Sequence, residues 1–515
     1  MQNKNYQPII YSLILIFGIY LGKFYIVESP LENSKMDSII TLVEENYVDG
    51  FDISDYEDKI LESIMKELDP HSNYIPKKEQ SYLEEEMSGS FSGVGIEFNI
   101  IKDSLVVVSP ISGGPSEKLG ILSGDRIVVV NEEDIASVGL TNSDVVEKLR
   151  GEKGSEVSIK IYRRGVKDLL EYTIERGDIP MYSVDASFML NNNVGYVKVN
   201  RFSATTNEEF YTATTELLSS GMKKLVLDLR GNPGGYLGSA IYMCNEFLEG
   251  GELIVYTEGK YRKKEEIYSD NDGNLKDIEL VVLINEGSAS ASEIVSGCMQ
   301  DLDRATIVGV RSFGKGLVQE EIRLNDGSAV RLTTQRYYIP SGRSIQKPYG
   351  KSDKEYNTEM YNRAQQKEEM SDSLKYTTKN GRTVYGGGGV TPDSIVLGSD
   401  TSMNFARINY VYPWVEEFCL TEKNIVIGKL GEHYKKYDFN NLGIGLFEDA
   451  FLKDFKKFVH KKNEDFDFKL SLKEEKYLKE LLLAKIAKNI WGNEAYFRVM
   501  LREDNLLRKS LQILD

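Results

Sequence analysis

Histidine is nearly missing from this chain: among 515 residues there are three, His71, His433 and His460. A hydrolase built here has few imidazoles from which to draw a general base. Cysteine is equally rare. Cys244, Cys298 and Cys419 lie far apart with no C-x-x-C spacing, which excludes a zinc knuckle and a multi-bridge disulfide framework. Positive charge is short as well, with 63 Lys and Arg against 80 Asp and Glu and a net charge of −17. That balance argues against a nucleic-acid partner, whose phosphates require cations. The sequence shows no phosphate loop, nucleotide fingerprint or metal-ligand set, and Glu84–Glu86 reads as a solvated helix face. What remains, 41% hydrophobic and 28% charged residues, describes a folded chain, long enough for roughly three or four domains.

One long apolar run stands out, Ile9 to Val27, and about 19 residues suffice to cross a bilayer core at about 1.5 Å per residue. Lys4 precedes it while Glu28 and Glu32 follow, a bias that predicts a cytoplasmic N-terminus and an exported remainder. No small-x-small cleavage site follows, which favours an uncleaved anchor over a signal peptide. Residues 1–30 are therefore read as a membrane anchor or signal segment, with the rest on the extracytoplasmic (periplasmic) side.

Across 31–88 the pattern is helical: Ile39, Ile40, Val43 and Tyr47, then Ile60, Ile64 and Leu68, recur at three- and four-residue steps until Leu68-Asp-Pro-His-Ser72 interrupts them. Residues 89–178 change to short alternating strands with glycine punctuation. Val94, Ile96 and Phe98 share one face, as do Val157, Ile159 and Ile161, and Thr141–Leu149 reads as a capped helix. Residues 179–398 alternate strand and helix. Val194–Val199, Leu225–Leu229, Leu280–Ile284 and Thr306–Val310 are apolar throughout, as a sheet buried on both faces requires. Residues 350–383 form a polar insertion expected to be surface loop and helix. From 399 to 515 the chain is helical again. Ser471-Leu-Lys-Glu474 is a capping box before Tyr477–Ile490, and Gly492-Asn493 stops that helix and caps the next.

Three segments could carry chemistry. Asn285-Glu-Gly-Ser-Ala-Ser-Ala-Ser-Glu293 joins a buried strand to an apolar helix. Ser290-Ala-Ser-Glu293 fits a capping box that needs no catalysis, yet the same turn holds a serine hydroxyl out of the sheet beside helix N–H groups able to stabilise an oxyanion. A serine needs a base. With no histidine in the strand–helix core, a Ser-His-Asp triad is disfavoured and a serine–lysine pair is the alternative. Lys315, between Gly314 and Gly316, offers one. Gln319, four residues on, shares its face in either strand or helix. A lysine acts as a base only when neutral, which takes desolvation or a neighbouring cation, and Phe313, Leu317 and Val318 supply apolar flanks. Otherwise it is a solvated turn lysine. The third segment is Asp228-Leu-Arg-Gly-Asn-Pro-Gly-Gly235, where consecutive glycines let backbone N–H groups face a ligand.

These strings, followed in order by Phe313-Gly-Lys-Gly-Leu-Val-Gln319, Tyr338-Ile-Pro-Ser-Gly-Arg-Ser-Ile-Gln346 and Gly388-Gly-Val-Thr-Pro-Asp393, resemble the carboxy-terminal processing (tail-specific) proteases, serine endopeptidases with a PDZ domain. The resemblance runs from about residue 35 to about residue 395. It implies a multidomain α/β fold: a PDZ-like β/α module at 89–178, inserted before a mixed α/β sheet protease core at 179–398, with helical N- and C-terminal regions. It also makes Ser290 the nucleophile, Lys315 the general base and Gln319 the residue positioning the lysine. The oxyanion donors would be the amide of Ala291 and that of Gly234 or Gly235. Gly231 stands where the family more often has Asn. Gly93-Val94-Gly95-Ile96 corresponds to the PDZ carboxylate loop, which holds a peptide's C-terminus while the peptide adds to a sheet edge. Arg150, just after the helix Thr141–Leu149, is expected to act as a gate, linking a swinging PDZ domain to Gln319 and Lys315.

The function implied is cleavage of exported proteins at or near their C-termini, with no cofactor and no metal. The partners are peptides or proteins with free C-termini and a membrane met through residues 9–27, with the C-terminal helices a candidate surface for self-association or an adaptor. An inactive PDZ scaffold and an acyl-transfer enzyme are the rival readings. The first is disfavoured by the intact Ser290, Lys315 and Gln319, the second by the lack of a nucleotide or thioester signature.

Overall fold

The computed structural model describes residues 35–350 apart from 101–102, 112, 123, 164 and 271–272, then 372–397, and 444–515 apart from 465, 467 and 468, together with 12, 15–17, 352, 355–356, 358–359, 410–411, 413–415 and 417–419. Ser12 and Leu15 to Phe17 are helical; the rest of the run 9–27 lies outside the described residues, and no described helix is long and apolar enough to cross a membrane. The chain divides at Leu68/Asp69 into two compact units. The first holds the helices Lys35–Asn46 and Glu57–Lys66, with Asp52 capping the short turn Ile53–Asp55. The proline-containing break expected at 68–72 coincides with the boundary between the units.

The second unit begins with a short strand, Asn73–Ile75, and the helix Lys77–Ser88. A six-stranded antiparallel module follows, with strand order 96–100, 105–110, 126–130, 156–162, 170–175 and the two-residue strand 133–134 alongside 126–130. Alternation builds its core: Val157, Ile159 and Ile161 point inward with Leu105, Val107 and Ile127, all essentially inaccessible. Thr141 starts the helix Asn142–Leu149 with a reciprocal cap, its hydroxyl taking the Asp144 N–H while Asp144 takes the Thr141 N–H at 2.9 Å. Ile96–Ile100 is an edge strand that pairs, among the described residues, only with Leu105–Pro110.

The α/β core is a six-stranded sheet in the order 184–189, 194–199, 224–228, 279–284, 306–309, 394–395, antiparallel at the first pair and parallel thereafter. Its central strands are buried on both faces, which explains why they read as continuous apolar runs. Leu225, Leu227, Val282 and Ile284 face the helices Leu237–Phe247 and Ala291–Asp301 through Met243, Cys244, Val295 and Cys298. On the opposite face Val226, Val281, Leu283 and Val308 meet Leu506, Leu507 and Leu514 of the last helix, Asn505–Leu514. Each such leucine contributes about 1.5–3 kcal/mol of burial. The C-terminal segment is thus the second covering layer of the sheet. The helices Ile444–Lys462 and Leu472–Trp491 build a separate cluster around Trp414, Phe455 and Leu482, and Ser471 caps the second of them as its sequence predicts.

A second sheet carries Leu317–Arg323 as an outer strand on Ala329–Tyr338, which also pairs with Asn73–Ile75 and Leu253–Glu258. Of the insertion 350–383, expected as surface loop and helix, residues 351, 353–354, 357 and 360–371 lie outside the described residues. Tyr356 is buried, its hydroxyl 2.8 Å from His71 Nε2, and the buried Lys347 ammonium lies 3.8 Å from the centre of the Phe313 ring and 4.1 Å from that of Tyr356. The Tyr356 ring fills the core while its hydroxyl keeps a partner.

Candidate active site

Ser290 stands between the strand Glu279–Ile284 and the helix Ala291–Asp301, with φ 54° and ψ −113°. A non-glycine residue held there carries strain on the order of 1–3 kcal/mol. Side chains hold it at both ends: its N–H reaches the Glu293 carboxylate at 2.8 Å, and its carbonyl, which also takes the first helical N–H groups, accepts the Tyr337 hydroxyl at 3.0 Å. Ala291 is the first helical residue, so its N–H has no partner within the helix, and no described hydrogen bond uses it.

Glu293 does more than cap. Its side chain is fully buried and also accepts the Ser312 hydroxyl (2.5 Å), the Gly314 N–H (2.7 Å) and the Lys315 N–H (2.8 Å). Burial pushes its carboxyl up from the ordinary value, and these four donors pull it back. One carboxylate therefore fastens the turn of Ser290 to the turn of Lys315. The sequence reading saw Glu293 only as a cap, because S-x-x-E is the pattern of both roles.

Lys315 is mostly buried. Its ammonium donates to Gln319 Oε1 at 2.7 Å, and the Gln319 amide nitrogen donates in turn to the His71 carbonyl. Burial, aided by the Arg331 cation, brings the Lys315 pKa down to about 8. His71, which the sequence places outside the strand–helix core, meets the site here. Asp69 shapes its turn by accepting the N–H groups of His71 (2.8 Å) and Ser72 (3.0 Å), and Ser72 Oγ accepts the Thr333 N–H at 3.1 Å. His71 serves through its backbone, however. Its imidazole is bonded to Tyr356, and burial, with the charge of Lys315, depresses its pKa to about 4.

The glycine loop meets Ser290 at van der Waals distance. A Cβ on Gly234 would lie 2.8 Å from the Ser290 Cβ, and one on Gly235 only 1.9 Å from the Phe202 carbonyl oxygen, so neither position admits a side chain. Their hydrogen bonds separate the two. The Gly234 N–H is spent on Asn232 Oδ1 at 2.9 Å, whereas no described hydrogen bond uses that of Gly235. Of the two glycines left open as the second oxyanion donor, Gly235 is therefore the one whose N–H no described hydrogen bond uses. Gly231 has φ 69° with open space beside it, a left-handed position that Gly adopts freely and Asn more readily than other residues with a side chain. Ser288 and Ser292 brace the same loop, their hydroxyls bonding the carbonyls of Leu229 (2.8 Å) and Asn232 (2.9 Å).

Ser290, Ala291, Gly235, Lys315 and Gln319 all line one cleft of about 680 Å³, walled by Leu83, Met87, Phe202, Leu237, Ile294 and Leu317. Arg150 is elsewhere. It pairs with Glu85 at 2.9 Å and lies 4.3 Å from the centre of the Phe91 ring, so the cation beside Lys315 is Arg331, which no local sequence pattern announces. In the antiparallel module, Val94 and Gly95 have N–H groups that no described hydrogen bond uses, beside the open edge strand that starts at Ile96. Gly93 ends the preceding strand Ser90–Gly93, and a Cβ on Gly95 would lie 2.8 Å from buried Ile179.

The depressed lysine has a stability consequence. The folded protein holds the Lys315 proton less tightly than the unfolded chain, whose pKa is the ordinary 10.5. Below pH 8 the buried charge costs stability in full, and the cost fades between pH 8 and 10.5. Lys315→Met should therefore raise the thermal midpoint at pH 7, with the gain shrinking toward pH 10; a midpoint lowered at pH 7 would show that the ammonium is well solvated.

Residues 193–355 match the model of peptidase family S41, and residues 92–174 that of a PDZ domain. The carboxy-terminal-processing protease of Bartonella bacilliformis is 37% identical over 350 residues, 65% of this chain and 80% of that protein. A probable CtpA-like serine protease of Staphylococcus aureus is 34% identical over 315 residues, 61% of this chain and 62% of that one, so the chain spans about three-fifths of the length of that relative. Among solved structures, the photosystem II D1 C-terminal processing protease matches at 26% identity and a TM-score of 0.38, covering 70% of this chain and 86% of that one. With a third or more of its residues shared along the stretch that holds the serine, the lysine and the glycine loop, the chain belongs to peptidase family S41 and carries a PDZ domain ahead of its peptidase core.

Proposed function

We propose that this chain is an exported serine endopeptidase that cleaves proteins at or near their C-termini with a Ser290–Lys315 dyad. The observation that carries the reading is the meeting, in one cleft, of a strained serine, a lysine with a pKa of about 8 and two amides with no described partner. At neutral to mildly alkaline pH a useful fraction of Lys315 is neutral and takes the Ser290 proton as Oγ attacks the scissile carbonyl. The N–H groups of Gly235 and Ala291 hold the oxyanion, a contribution on the order of 10²–10³ in rate per donor. Lys315 then protonates the leaving amine, and water enters to release the acyl-enzyme. Gln319 keeps the lysine aimed. The apolar walls of the cleft favour substrates with aliphatic side chains next to the scissile bond.

Substrate selection falls to the PDZ module. The amides of Val94 and Gly95, with Gly93 and Ile96 framing them, receive the terminal carboxylate, and the peptide extends along the edge strand Ile96–Ile100. Export and anchoring through residues 9–27 are supported by the apolar run and its charge bias. Accessibility of the chain to added protease in spheroplasts tests this, and protection throughout would reject it.

Hydrolysis of one peptide, offered with a free and with an amidated C-terminus, tests the enzyme and its selectivity together. The free form should be cleaved faster, because charge-assisted bonds are roughly twice as strong as neutral ones. Ser290→Ala and Lys315→Ala should each abolish turnover of both forms, with little further loss in the double variant. Substantial activity in Lys315→Ala would reject the dyad, and equal rates for the two wild-type reactions would reject carboxylate recognition.

A further inference from the structure

The loop that carries Gly235 is anchored at its start by Arg230, and Arg230 is held from two directions. On one side Asp228 accepts from its Nε (3.0 Å) and from its terminal nitrogen Nη2 (2.6 Å), and also takes the Arg230 N–H at 2.9 Å. Asp228 is itself buried, bonded to the Tyr196 hydroxyl at 2.7 Å and 3.4 Å from the Lys198 ammonium; burial pushes its carboxyl up, but Arg230 and Lys198 together hold it well below the carboxylate range. On the other side, the remaining guanidinium nitrogen, Nη1, donates to Asp504 Oδ2 at 2.6 Å. Asp504 is the N-cap of the last helix, and its second oxygen, Oδ1, accepts from the Leu506 and Leu507 N–H groups at 2.8 and 3.0 Å.

The two oxygens of Asp504 thus have separate tasks, one on its own helix and one on the glycine loop. Asp228 closes the buried sheet strand Lys224–Asp228 and fixes the Arg230 side chain from the sheet side. Asp504 belongs to a different layer, set against the sheet by Leu506, Leu507 and Leu514. The Lys198 ammonium on the Arg230 carbonyl and Asn285 Oδ1 on the Gly231 N–H (2.7 Å) complete the grip from the sheet side. From there the turn runs directly through Asn232 to Gly235.

We propose that Asp504 is a positioning residue for the oxyanion loop, acting through Arg230, so that the C-terminal helix is a working part of the peptidase as well as a cover for its sheet. This rests on the proposed role of Gly235. A shift of about 1 Å in a donor is enough to cost on the order of 10²-fold in rate.

Asp504→Asn in the full chain is the informative variant, because it keeps a capping oxygen and removes the charge from Arg230. Its kcat should fall roughly ten- to a hundredfold with KM unchanged. Affinity for a peptide aldehyde, whose adduct places an oxyanion between Gly235 and Ala291, should fall by the same factor, while affinity for the matching uncleavable amide stays the same. Asp504→Glu should recover part of the loss. Glu503→Gln, next door but paired with Arg508 and Lys476, should behave as wild type. Hydrogen exchange at 230–235 should quicken in Asp504→Asn with no change at 224–228. Wild-type kcat and exchange in Asp504→Asn, or a parallel loss of aldehyde and amide affinity with a lowered thermal midpoint, would overturn the proposal. If Ser290→Ala still hydrolyses peptide, the proposed function fails, and the exchange result alone then decides whether Asp504 holds the loop.

Discussion

The site depends on one buried carboxylate. Glu293 has no access to solvent, and a buried charge is costly unless its lone pairs are filled. Four donors fill them, from Ser290, Ser312, Gly314 and Lys315. Two of those donors are the backbone N–H groups of the residues proposed as nucleophile and base, so the interaction that makes the charge tolerable also sets the two turns against each other. The strain at Ser290 persists for the same reason, since its N–H and its carbonyl are both held from outside the turn.

Around that clamp, the groups of the site are held by side-chain and backbone partners. Gln319 is fixed by the His71 carbonyl, the glycine loop by Asn232, Ser288 and Ser292, and Arg230 by Asp228 and Asp504. The lysine is the exception, in that its environment works against its charge. Burial and Arg331 both disfavour the ammonium, so stability at neutral pH is given up for a larger fraction of neutral amine. Several segments that mark the family serve this scaffold and not the chemistry. Arg343, within Tyr338–Gln346, is a buried pair with Asp301 at 2.8 Å, and Asp393 takes the Ile307 N–H at 2.8 Å to seat the end of the sheet.

Much of this was legible in the sequence for definite reasons. Strands buried on both faces show as unbroken apolar runs, the helix after Ser471 announces its cap, and the serine and lysine segments are local strings rich in glycine. What was not legible depends on contacts between distant residues. Tyr356 meets His71 across 285 positions and Asp504 meets Arg230 across 274, and no periodicity reports such pairs. The gate at Arg150 is drawn by analogy for a PDZ domain that has swung, while in this structure its partner is Glu85, on a helix whose glutamates read as a solvated face. The choice between Gly234 and Gly235 could not be made from composition either. Both sit at positive φ, and only the hydrogen bond from Gly234 to Asn232 distinguishes them.

The central claim is that Lys315 activates Ser290, and the rate of covalent labelling by an alkyl fluorophosphonate tests it without any assumption about substrate. The serine oxygen forms the phosphonate ester and fluoride leaves, so peptide mapping by mass spectrometry reports which serine reacted and how fast. The account predicts label on Ser290, a rate that rises with pH through a midpoint near the Lys315 value of about 8, and loss of that reaction in Lys315→Ala. Label on another serine, or a midpoint at the ordinary histidine value of about 6.5 that disappears in His71→Ala, would contradict it.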